Sequence, residues 1–509
     1  MFSAAPDTGP IRRSAPLLGG HPFPPPPLPV PDELLLVSAT SIMSIQLIGD
    51  IIYSVSRSVN SFSPILLAPP PDACYNRLNF KEKGRNRIMT EGEQRLLVSR
   101  TLDVGERMLL CGGEVSRVED TISRILKSYG AQRVEVFTIL SFISLTAVFS
   151  QDRIFSENRR VSIVAYSNDF TRLEQLNALS REVCAARPDL SVLSEKLAAI
   201  DLPPRKKQFR ELYALLGYIL SGSAFALFFG GTWRDSLGAG LCCFVVWFLN
   251  WFLKRAALQR LFHAFFVSFF AGSLCYLTIL LGLGEHPGQV MMAVIMVLIP
   301  GIAITNAMRE VLISDTISGI LRLVESLLIA SAVAFGFALA MFVFKDRFPE
   351  EHFLSLNAEL PWLQILAAAV GTLGFAILFN SRPRRLFLGA LGGGLTWVVY
   401  LLLADVIGSD FLCVALAAGF GAAYAEIMAR VCKAPATVFT ILSEIALIPG
   451  GSLYITMHHL VGGRQSQALQ YGLHTVMVAL AIALGIVLVT AFTTSFFSKK
   501  KRAATGHKH

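Results

Sequence analysis

The stretch MVLIPGIAITNAMREVL, from Met296 to Leu312, is the part of the sequence that decides the fold. It begins as apolar membrane sequence, is interrupted at Pro300-Gly301, and continues into polar residues. A Pro-Gly pair inside a membrane segment leaves backbone N–H and C=O groups that lipid cannot satisfy. Such a break is tolerated where it is buried in protein or lines a watery cavity, and there the groups can bind a solute. The stretch therefore predicts a broken membrane helix beside a solute site.

A second break of the same kind lies in IALIPGGSLYITMHHL, from Ile445 to Leu460. Pro300 and Pro449 are 149 positions apart, and the same offset superposes the glycine that follows each proline and most of the apolar segments around it. The pattern predicts a unit of about five spans used twice, and an odd number of spans inserts the second copy upside down. Chance similarity of two apolar stretches is the alternative, because proline and glycine are common in membrane helices.

The composition supports a membrane protein with about ten spans. The chain has 509 residues, 53% of them hydrophobic and 16% charged, and its mean hydropathy of +0.55 is too high for a soluble enzyme of this size. A span needs about 20 mostly apolar residues. The candidates are 211–230, 236–253, 262–284, 288–308 and 317–344, then 361–379, 385–404, 410–429, 436–457 and 468–495. The predicted fold class is an α-helical polytopic membrane protein of two inverted five-span repeats, 211–344 and 361–497, with a cytoplasmic α+β domain at 91–204.

The lysines and arginines predict the orientation in the membrane. The net charge is +9, but the basic residues stand in short clusters beside apolar segments, which is the positive-inside pattern and not a nucleic-acid surface. One side carries Arg205, Lys206, Lys207, Lys254, Arg255, Arg260, Arg309, Arg322, Arg382, Arg384, Arg385, Arg430, Lys433 and the basic tail 498–509. The other side has Arg234, Lys345, Arg347 and Arg464. We therefore predict a plasma (inner) membrane protein with both termini cytoplasmic and with the lipid bilayer and a small-molecule substrate as partners; a homo-oligomer stays open.

Residues 1–88 form a proline-rich extension that includes HPFPPPPLPVP and LLAPPP. Such sequence does not form a packed core, so we expect disorder. The apolar stretch between the two proline runs contains Asp50 and lacks the features of a signal peptide. The alternative is that the natural protein starts at Met89, directly before compact domain sequence.

The polar segment 91–204 offers one candidate for chemistry, Glu114. Two amphipathic helices meet at Gly112-Gly113, a β-rich stretch follows from Gln132, a further strand is expected near Val161, and a helix begins after Asn168 or Asp169. Glu114 follows the double glycine, yet this segment contains no histidine that would assist it. The interpretations are a general acid or base, or a helix-cap or interface residue, and we favour the latter. The 8 cysteines stand in no ligand spacing and no Walker A sequence is present, so neither a metal nor a cofactor is expected.

Polar residues within the spans are functional candidates because charge near the bilayer centre is costly. In the first half, Thr305, Asn306 and Arg309 share one helical face, and an arginine there can bind a substrate carboxylate bidentately. The alternative is that Arg309 and Glu310 mark the cytoplasmic end of the span. Arg322 and Glu325 are placed for an i,i+3 pair. The substrate-binding candidates are Pro300, Gly301, Thr305, Asn306, Arg309, Asp315, Pro449, Gly450 and Ser452.

The second half carries titratable residues where the first half carries an arginine and an acid. At the 149-residue offset His458 and His459 align with Arg309 and Glu310. This difference suggests substrate binding in the first half and proton handling in the second. The carboxyl of Glu444 lies deep in an apolar run, where it can bind and release a proton. A buried structural bond is the alternative for each of these residues. The proton-coupling candidates are Glu310, Glu426, Glu444, His458 and His474.

Four motifs together resemble the threonine/serine exporter family. They are GGEVSRVEDTI, SNDFTRLEQLNALSRE, LIPGIAITNAMREVLISDTISGILRLVESLL and APATVFTILSEIALIPGGSLY, and the resemblance runs from Glu91 to Phe497. It implies a cytoplasmic domain, ten spans, and export of small hydrophilic metabolites driven by the proton gradient, in one chain that fuses two units. The family positions that carry over are Glu114, Pro300, Gly301, Asn306, Arg309, Asp315, Gly319, Pro449 and Gly450. Glu310 and Ser314 depart from the family's pattern, which leaves the roles of these two side chains open.

The sequence therefore predicts a secondary transporter that exports a threonine/serine-type amino acid in antiport with protons, and not an enzyme. Three alternatives stay open, the last of them a channel or scaffold that would show no dependence on the proton gradient. The first is export of a dicarboxylate of the succinate type, which related two-chain systems suggest and which the same carboxylate-binding groups would serve. The second is a membrane-anchored hydrolase that uses the domain of Glu114.

Overall fold

The computed structural model describes residues 89–150, 153–162, 168–201, 207–253, 258–313, 315–344 and 360–505. The predicted extension 1–88, the linker 202–206, Ser314 and the last residues of the basic tail lie outside this range. The segment 345–359, which connects the two predicted five-span units, lies outside it as well.

An α+β layer occupies the amino-terminal part. Its elements are α1 (Glu91–Leu110), α2 (Val115–Ser128), β1 (Arg133–Ile139), β2 (Phe142–Val148), β3 (Ile154–Arg160), α3 (Phe170–Ala186) and α4 (Leu190–Asp201). The strands form an antiparallel sheet in the order β1-β2-β3. Thr90 and Glu93 form a capping box at the start of α1, and Asp169 caps α3 by accepting from the N–H of Arg172 at 3.0 Å. Apolar faces of the helices and of β2 close over a shared core that contains Leu97, Ile122 and Leu145.

A third strand ends just before Val161. The strand predicted near Val161 shares Arg159 and Arg160 with β3 (Ile154–Arg160), and its residues 163–167 lie outside the described residues. The position of β3 is set by its pairing with β2, in which Val148 faces Ile154 and Phe142 faces Arg160.

The rest of the chain is helical and confirms a polytopic membrane protein. The helices are α5 (Lys207–Phe228), α6 (Trp233–Leu253), α7 (Arg260–Leu280), α8 (Pro287–Leu298), α9 (Gly301–Leu312), α10 (Thr316–Phe344), α11 (Pro361–Leu378), α12 (Pro383–Ala404), α13 (Asp410–Cys432), α14 (Ala436–Glu444), α15 (Gly450–Val461) and α16 (Gln465–Thr505). Within the described residues, 8 helices are long and apolar enough to span a membrane singly. The pairs α8–α9 and α14–α15 bend by 55° and 46° at their breaks and bring the number to as many as 10.

The membrane helices form two sets of six, α5–α10 and α11–α16, and each set packs in the same way. The first helix of each set packs against the second, and the third packs along the last, so α7 lies on α10 and α13 lies on α16. The halves α8 and α14 each pack among the first three helices of their own set. The halves α9 and α15 each contact the last helix of both sets. The two sets therefore exchange equivalent contacts across their boundary.

Helices α5 and α11 form the most extensive part of that boundary and run in opposite directions. Gly217 lies beside Gly374, whereas Phe225, two turns further along α5, lies beside Gly371, which precedes Gly374. The Gln364 side chain, still earlier in α11, donates to the Phe228 carbonyl at 3.5 Å. Small residues at the crossing allow the two backbones to approach closely, as in other membrane helix pairs.

We expect Gly374→Ala to destabilise the protein by separating α5 from α11. An added Cβ would lie 2.6 Å from the Ser221 amide nitrogen and 3.0 Å from the Gly217 carbonyl oxygen, both of them backbone atoms that cannot rotate away. Overpacking of this kind costs about 1–3 kcal/mol. The midpoint of thermal denaturation in detergent should fall, and Gly408→Ala, where a Cβ meets nothing within 4 Å, serves as the control. An unchanged midpoint for Gly374→Ala would contradict the close crossing.

Candidate functional site

The two helix breaks pack directly against each other. Pro300 and Pro449 have nearly the same backbone conformation, with φ −77° and ψ 47° at the first and φ −77° and ψ 52° at the second. A Cβ on Gly301 would collide with Ile448, and a Cβ on Gly450 would collide with Met296. Each glycine thus gives room to the chain just before or at the opposite break. The structure therefore brings together the predicted pairs Pro300-Gly301 and Pro449-Gly450.

Each break begins a new helix whose first amide groups have no acceptor within the helix. In α9 the first hydrogen bond of the helix runs from the Ile304 N–H to the Pro300 carbonyl at 3.0 Å. The N–H groups of residues 301–303 therefore project from the helix end. The helix dipole adds partial positive charge at this position. A carboxylate is the kind of group that such a helix end attracts.

A cavity of about 250 Å³ opens beside the first break. Pro300 and Gly301 line it, and α10 contributes Arg322, Glu325 and Ser326. The α+β layer forms another wall, with the apolar Leu110, Leu140 and Val161 and the amide of Asn168. The cavity therefore lies between the membrane helices and the α+β layer, and it presents polar groups of both signs in an otherwise apolar lining.

Ion pairs hold the charged groups around this cavity. Arg322 pairs with Glu310 at 3.0 Å, and both side chains are nearly inaccessible, at 5% and 8% exposure. Arg260, at the start of α7, pairs with Glu325, and both of these side chains are about one-third exposed. The predicted i,i+3 pair of Arg322 with Glu325 is therefore wrong, because tertiary partners on α9 and α7 reach each charge. A positive and a negative group at one small cavity can hold the two ends of a zwitterion.

Glu114 of the α+β layer joins the two sets of membrane helices. Its carboxylate accepts from the guanidinium of Arg309 in α9 and from the hydroxyl of Thr437 in α14. Although Glu114 stands at the N-cap of α2, its side chain makes no capping bond. The turn before it is tight, because a Cβ on Gly113 would lie 2.7 Å from the Met108 carbonyl oxygen. Arg309, in the last turn of α9, is thus a buried ion-pair partner.

Electrostatics make the Glu114 contact persistent over the physiological pH range. Burial raises the pKa of the Glu114 carboxyl, but the charges of Arg309 and Arg117 and the Thr437 hydroxyl outweigh burial and bring the pKa to about 2. Because this pKa lies below the usual value of 4.5, the contact contributes stability above pH 4.5 that is lost as the pH falls toward 2.

A second contact region secures the α+β layer on the loop between α11 and α12. The Phe170 N–H donates to the Phe379 carbonyl at 2.9 Å, and the two rings lie 5.2 Å apart. Asn380 donates to the Asp169 carboxylate at 2.9 Å. The buried carboxylate of Glu174 pairs with two basic residues of this loop and helix, Arg382 at 3.2 Å and Arg385. The layer is thus bound through both apolar and ionic contacts.

Thr305 and Ser452 lie near a smaller gap between the two breaks. This gap of about 20 Å³ is lined by Gly301, Thr305, Pro449 and Thr475, among others. Ser452 shares a hydrogen bond of 2.9 Å with Thr475. Thr305 is buried, and its hydroxyl has no hydrogen-bond partner in the described part of the chain. Gly301 and Ile448 line both this gap and the larger cavity, so Thr305 and Ser452 lie close to the breaks but do not line the larger cavity.

The remaining predicted residues are dispersed. Asn306 is half-buried on α9, and Asp315 follows that helix, with burial raising the pKa of the Asp315 carboxyl. Glu426 pairs with Arg430 at 2.7 Å near the end of α13. The imidazole of His474 contacts the Asp410 carboxylate at 2.8 Å on the surface. His458 and His459 are buried near the end of α15, and the structure does not bring these six positions together with Glu444, which is buried in the second set.

Several cavity residues were missing from the predicted site. Ser326 and Asn168 are single polar residues whose part in the cavity depends on packing between distant segments, so the sequence offered no signal. Arg260 was assigned only to the basic loops. Arg322 and Glu325 were named among the polar residues of the spans, but only as a pair with each other and not as part of a site. Among the described residues, no group of His, Cys, Asp and Glu is arranged to hold a metal ion.

We expect Glu114 and Arg309 to act as a coupled pair in stability. Glu114→Gln or Arg309→Gln alone leaves a buried charge without its partner and should cost on the order of 3 kcal/mol. The double variant should cost less than the sum of the two. Thermal denaturation in detergent measures this cycle, with the exposed pair Arg124 and Asp120, changed to Gln and Asn, as the control. Strictly additive losses would contradict the pairing. The coupling energy from the cycle should also be the same at about pH 8 and at about pH 5, and a change between these two values would contradict the low pKa of Glu114.

Comparison with known proteins agrees with the motifs quoted above. Residues 100–344 match a family model described as a threonine/serine exporter, ThrE, and residues 364–492 match a second model, Threonine/Serine exporter, ThrE_2. A curated "Threonine/serine exporter" of Corynebacterium glutamicum is 23% identical over 399 residues, which is 76% of this chain and 80% of that protein. No solved structure matches. The chain belongs to the threonine/serine exporter family.

Proposed function

We propose that this protein exports a small amino acid of the threonine/serine type by alternating access and in exchange for protons. The observation that carries the proposal is the meeting of two broken helices beside a charged cavity that an α+β layer borders. The family supports amino-acid export, and the relative from Corynebacterium glutamicum is described as a threonine/serine exporter.

The proposed mechanism uses two inverted repeats, one per set of helices. Three observations support it: the same packing order in both sets, the antiparallel crossing of α5 and α11, and breaks of matching conformation. Matching contacts along whole helices favour a repeat over chance similarity of two Pro-Gly motifs. In such a repeat, rocking of one set against the other opens a shared site to each side of the membrane in turn.

We propose that the α+β layer and both termini face the cytoplasm. The layer is bound to Arg382, Arg385 and the carbonyl of Lys433, all in segments on the lysine- and arginine-rich side. The cavity borders the same layer, so this conformation holds its substrate pocket on the cytoplasmic side. Export then requires the contacts between Glu114, Arg309 and Thr437 to rearrange as the two sets move.

In the proposed complex, the substrate carboxylate binds the N–H groups at the start of α9 and the guanidinium of Arg322. The ammonium group lies toward Glu325, and Ser326 and Asn168 are available to a hydroxyl of the substrate. Arg309 was the carboxylate-binding arginine expected from the sequence, together with Asn306. In this conformation Arg309 binds the carboxylate of Glu114, so Arg309 can reach a substrate only after the α+β layer moves.

The energy for export would come from the proton gradient. The sequence contains no Walker A motif, and the buried acids and histidines of the second set are candidates for the proton. Glu310 and Glu426 each lie in an ion pair with an arginine, and His474 contacts an aspartate on the surface. These three side chains are therefore engaged in contacts, whereas Glu444 has no hydrogen-bond partner among the described residues.

Counterflow in proteoliposomes tests the proposed function. Vesicles that contain the purified protein and are loaded with unlabelled L-threonine or L-serine should accumulate external labelled threonine transiently, and an imposed pH gradient should drive accumulation. Empty vesicles are the control. Counterflow with succinate alone would establish the dicarboxylate alternative, and chemical change of the labelled compound would establish the hydrolase alternative; each result would overturn the proposal.

We expect Ser326→Phe to abolish counterflow by filling the cavity. Ser326 lines the cavity on α10. Ser331 lies on the same helix but is exposed, with its hydroxyl bonded to its own backbone at Leu327, so Ser331→Phe is a matched control that should transport normally. Both variants should be compared at equal amounts in the membrane. Normal transport by Ser326→Phe would exclude this cavity as the substrate site.

A further inference from the structure

Glu444 is a buried carboxyl that nothing in the described structure pairs. It ends α14, directly before the 3-10 turn Ile445–Leu447 that leads to the second break, and it is 3% exposed. Neither of its carboxylate oxygens has a hydrogen-bond partner in the described part of the protein. Glu114, Glu310 and Glu426 each pair with an arginine, whereas Glu444 does not pair with any side chain of the described residues.

Hydroxyl groups in the same condition lie beside Glu444. Thr396 on α12 and Ser443 on α14 are both fully buried, and their hydroxyl oxygens also lack partners among the described residues. A glycine makes the shared space, because a Cβ on Gly421 would lie 2.6 Å from the Glu444 Oε1 and 2.9 Å from the Thr396 Oγ1. A carboxyl and a hydroxyl therefore face one small gap between α12, α13 and α14.

The described helices that pack against α14 carry few titratable residues. Helix α11, which packs on α14, contains no titratable residue, and α12 carries Arg384 and Arg385 at its far start and Tyr400 bonded to Asp410. The titratable residue of α13 nearest this gap is Tyr424, whose hydroxyl donates to the Leu388 carbonyl at 2.7 Å. The only acid and base further along α13 in that direction, Glu426 and Arg430, pair with each other.

These surroundings favour a neutral, protonated carboxyl in this conformation. An ionised carboxylate in a dry site without a partner costs several kcal/mol, whereas the protonated acid loses far less on leaving water. The neighbouring hydroxyls can donate to a carboxylate once rearrangement lets them reach it, so a second, ionised state is also accessible. A site that is neutral when closed and can be ionised when opened has the property that proton carriage requires.

The site belongs to the second set alone and borders the substrate cavity. At the 149-residue offset the position of Glu444 is taken by Ile295, while Gly421 corresponds to Gly272. The first set thus keeps the gap-forming glycine but lacks the acid. Ile445, the residue after Glu444, lines the larger cavity. A change at Glu444 can therefore alter the cavity wall through one peptide unit.

We propose that Glu444, assisted by Thr396, is the proton-carrying site of the exporter. This rests on the proposed function and deepens it. On the side of low pH a carboxylate oxygen of Glu444 takes a proton from water, and the neutral acid permits the closed arrangement. On the opposite side the O–H bond breaks, the proton passes to water, and the Thr396 hydroxyl stabilises the carboxylate that remains. Substrate and proton then occupy separate sites joined by the turn before the second break.

Proteoliposomes with the full chain separate coupling from transport. In Glu444→Gln, threonine counterflow at equal pH on both sides should persist, while accumulation driven by a pH gradient should be lost. Asp405→Asn, a carboxyl-to-amide change at an exposed position of the same set, should keep both activities. Thr396→Val removes a hydrogen-bond donor to the ionised carboxylate and so disfavours ionisation of Glu444. The curve of export rate against pH should therefore shift by about one pH unit to the alkaline side.

Each outcome has a defined meaning. Accumulation of threonine by Glu444→Gln under a pH gradient would overturn the proposal. A defect of Glu444→Gln that appears only when a Na⁺ gradient drives accumulation would also overturn it, because the site would then bind Na⁺. If Glu444→Gln does not fold, the Thr396→Val profile decides, and an unchanged profile overturns the proposal. Absence of counterflow in the wild-type protein would instead refute the proposed export function.

Discussion

The demand of interrupted backbone for polar partners is the constraint on which this structure depends. Lipid offers none, so two interrupted helices in one membrane protein must be covered by protein at their breaks. Here each break shields the other from lipid: the side chain of Ile448 packs on Gly301, and the side chain of Met296 packs on Gly450. Glycine is required at both positions because any side chain would separate the breaks. The remaining helices can be understood as the support that keeps these two segments in contact.

The α+β layer completes the structure from one side. Glu114 reaches one residue in each set, Arg309 and Thr437, and Phe170 enters the apolar core of the membrane helices. Buried charges of this kind are costly without partners, so the layer and the helices satisfy each other. The layer is thus held to the helices by apolar contacts around Phe170 and by buried ion pairs.

The two sets of helices share a framework but differ in chemistry. The first set carries the arginines and acids that face the larger cavity, and these charges are held in pairs. The second set carries an isolated acid in a gap edged by hydroxyls and glycine. Paired charges are suited to bind a zwitterion, since the substrate can take over existing interactions. An unpaired buried acid is suited to bind a proton, since its neutral form is the one that a dry site accepts.

The sequence by itself determined the class of protein and the position of its breaks. Apolar length counts membrane helices, Pro-Gly marks an interruption, and a constant offset relates the two halves, because all three depend on local chemistry and on the bilayer. The pairing of Arg322 was misassigned, because i,i+3 spacing is local and its partner Glu310 lies on another helix. Only the tertiary structure decided that Arg309 binds Glu114, that Arg260 and Arg322 border one cavity, and that Glu444 lies without a partner among the described residues. Such contacts join positions up to hundreds of residues apart, and their geometry depends on how whole helices pack.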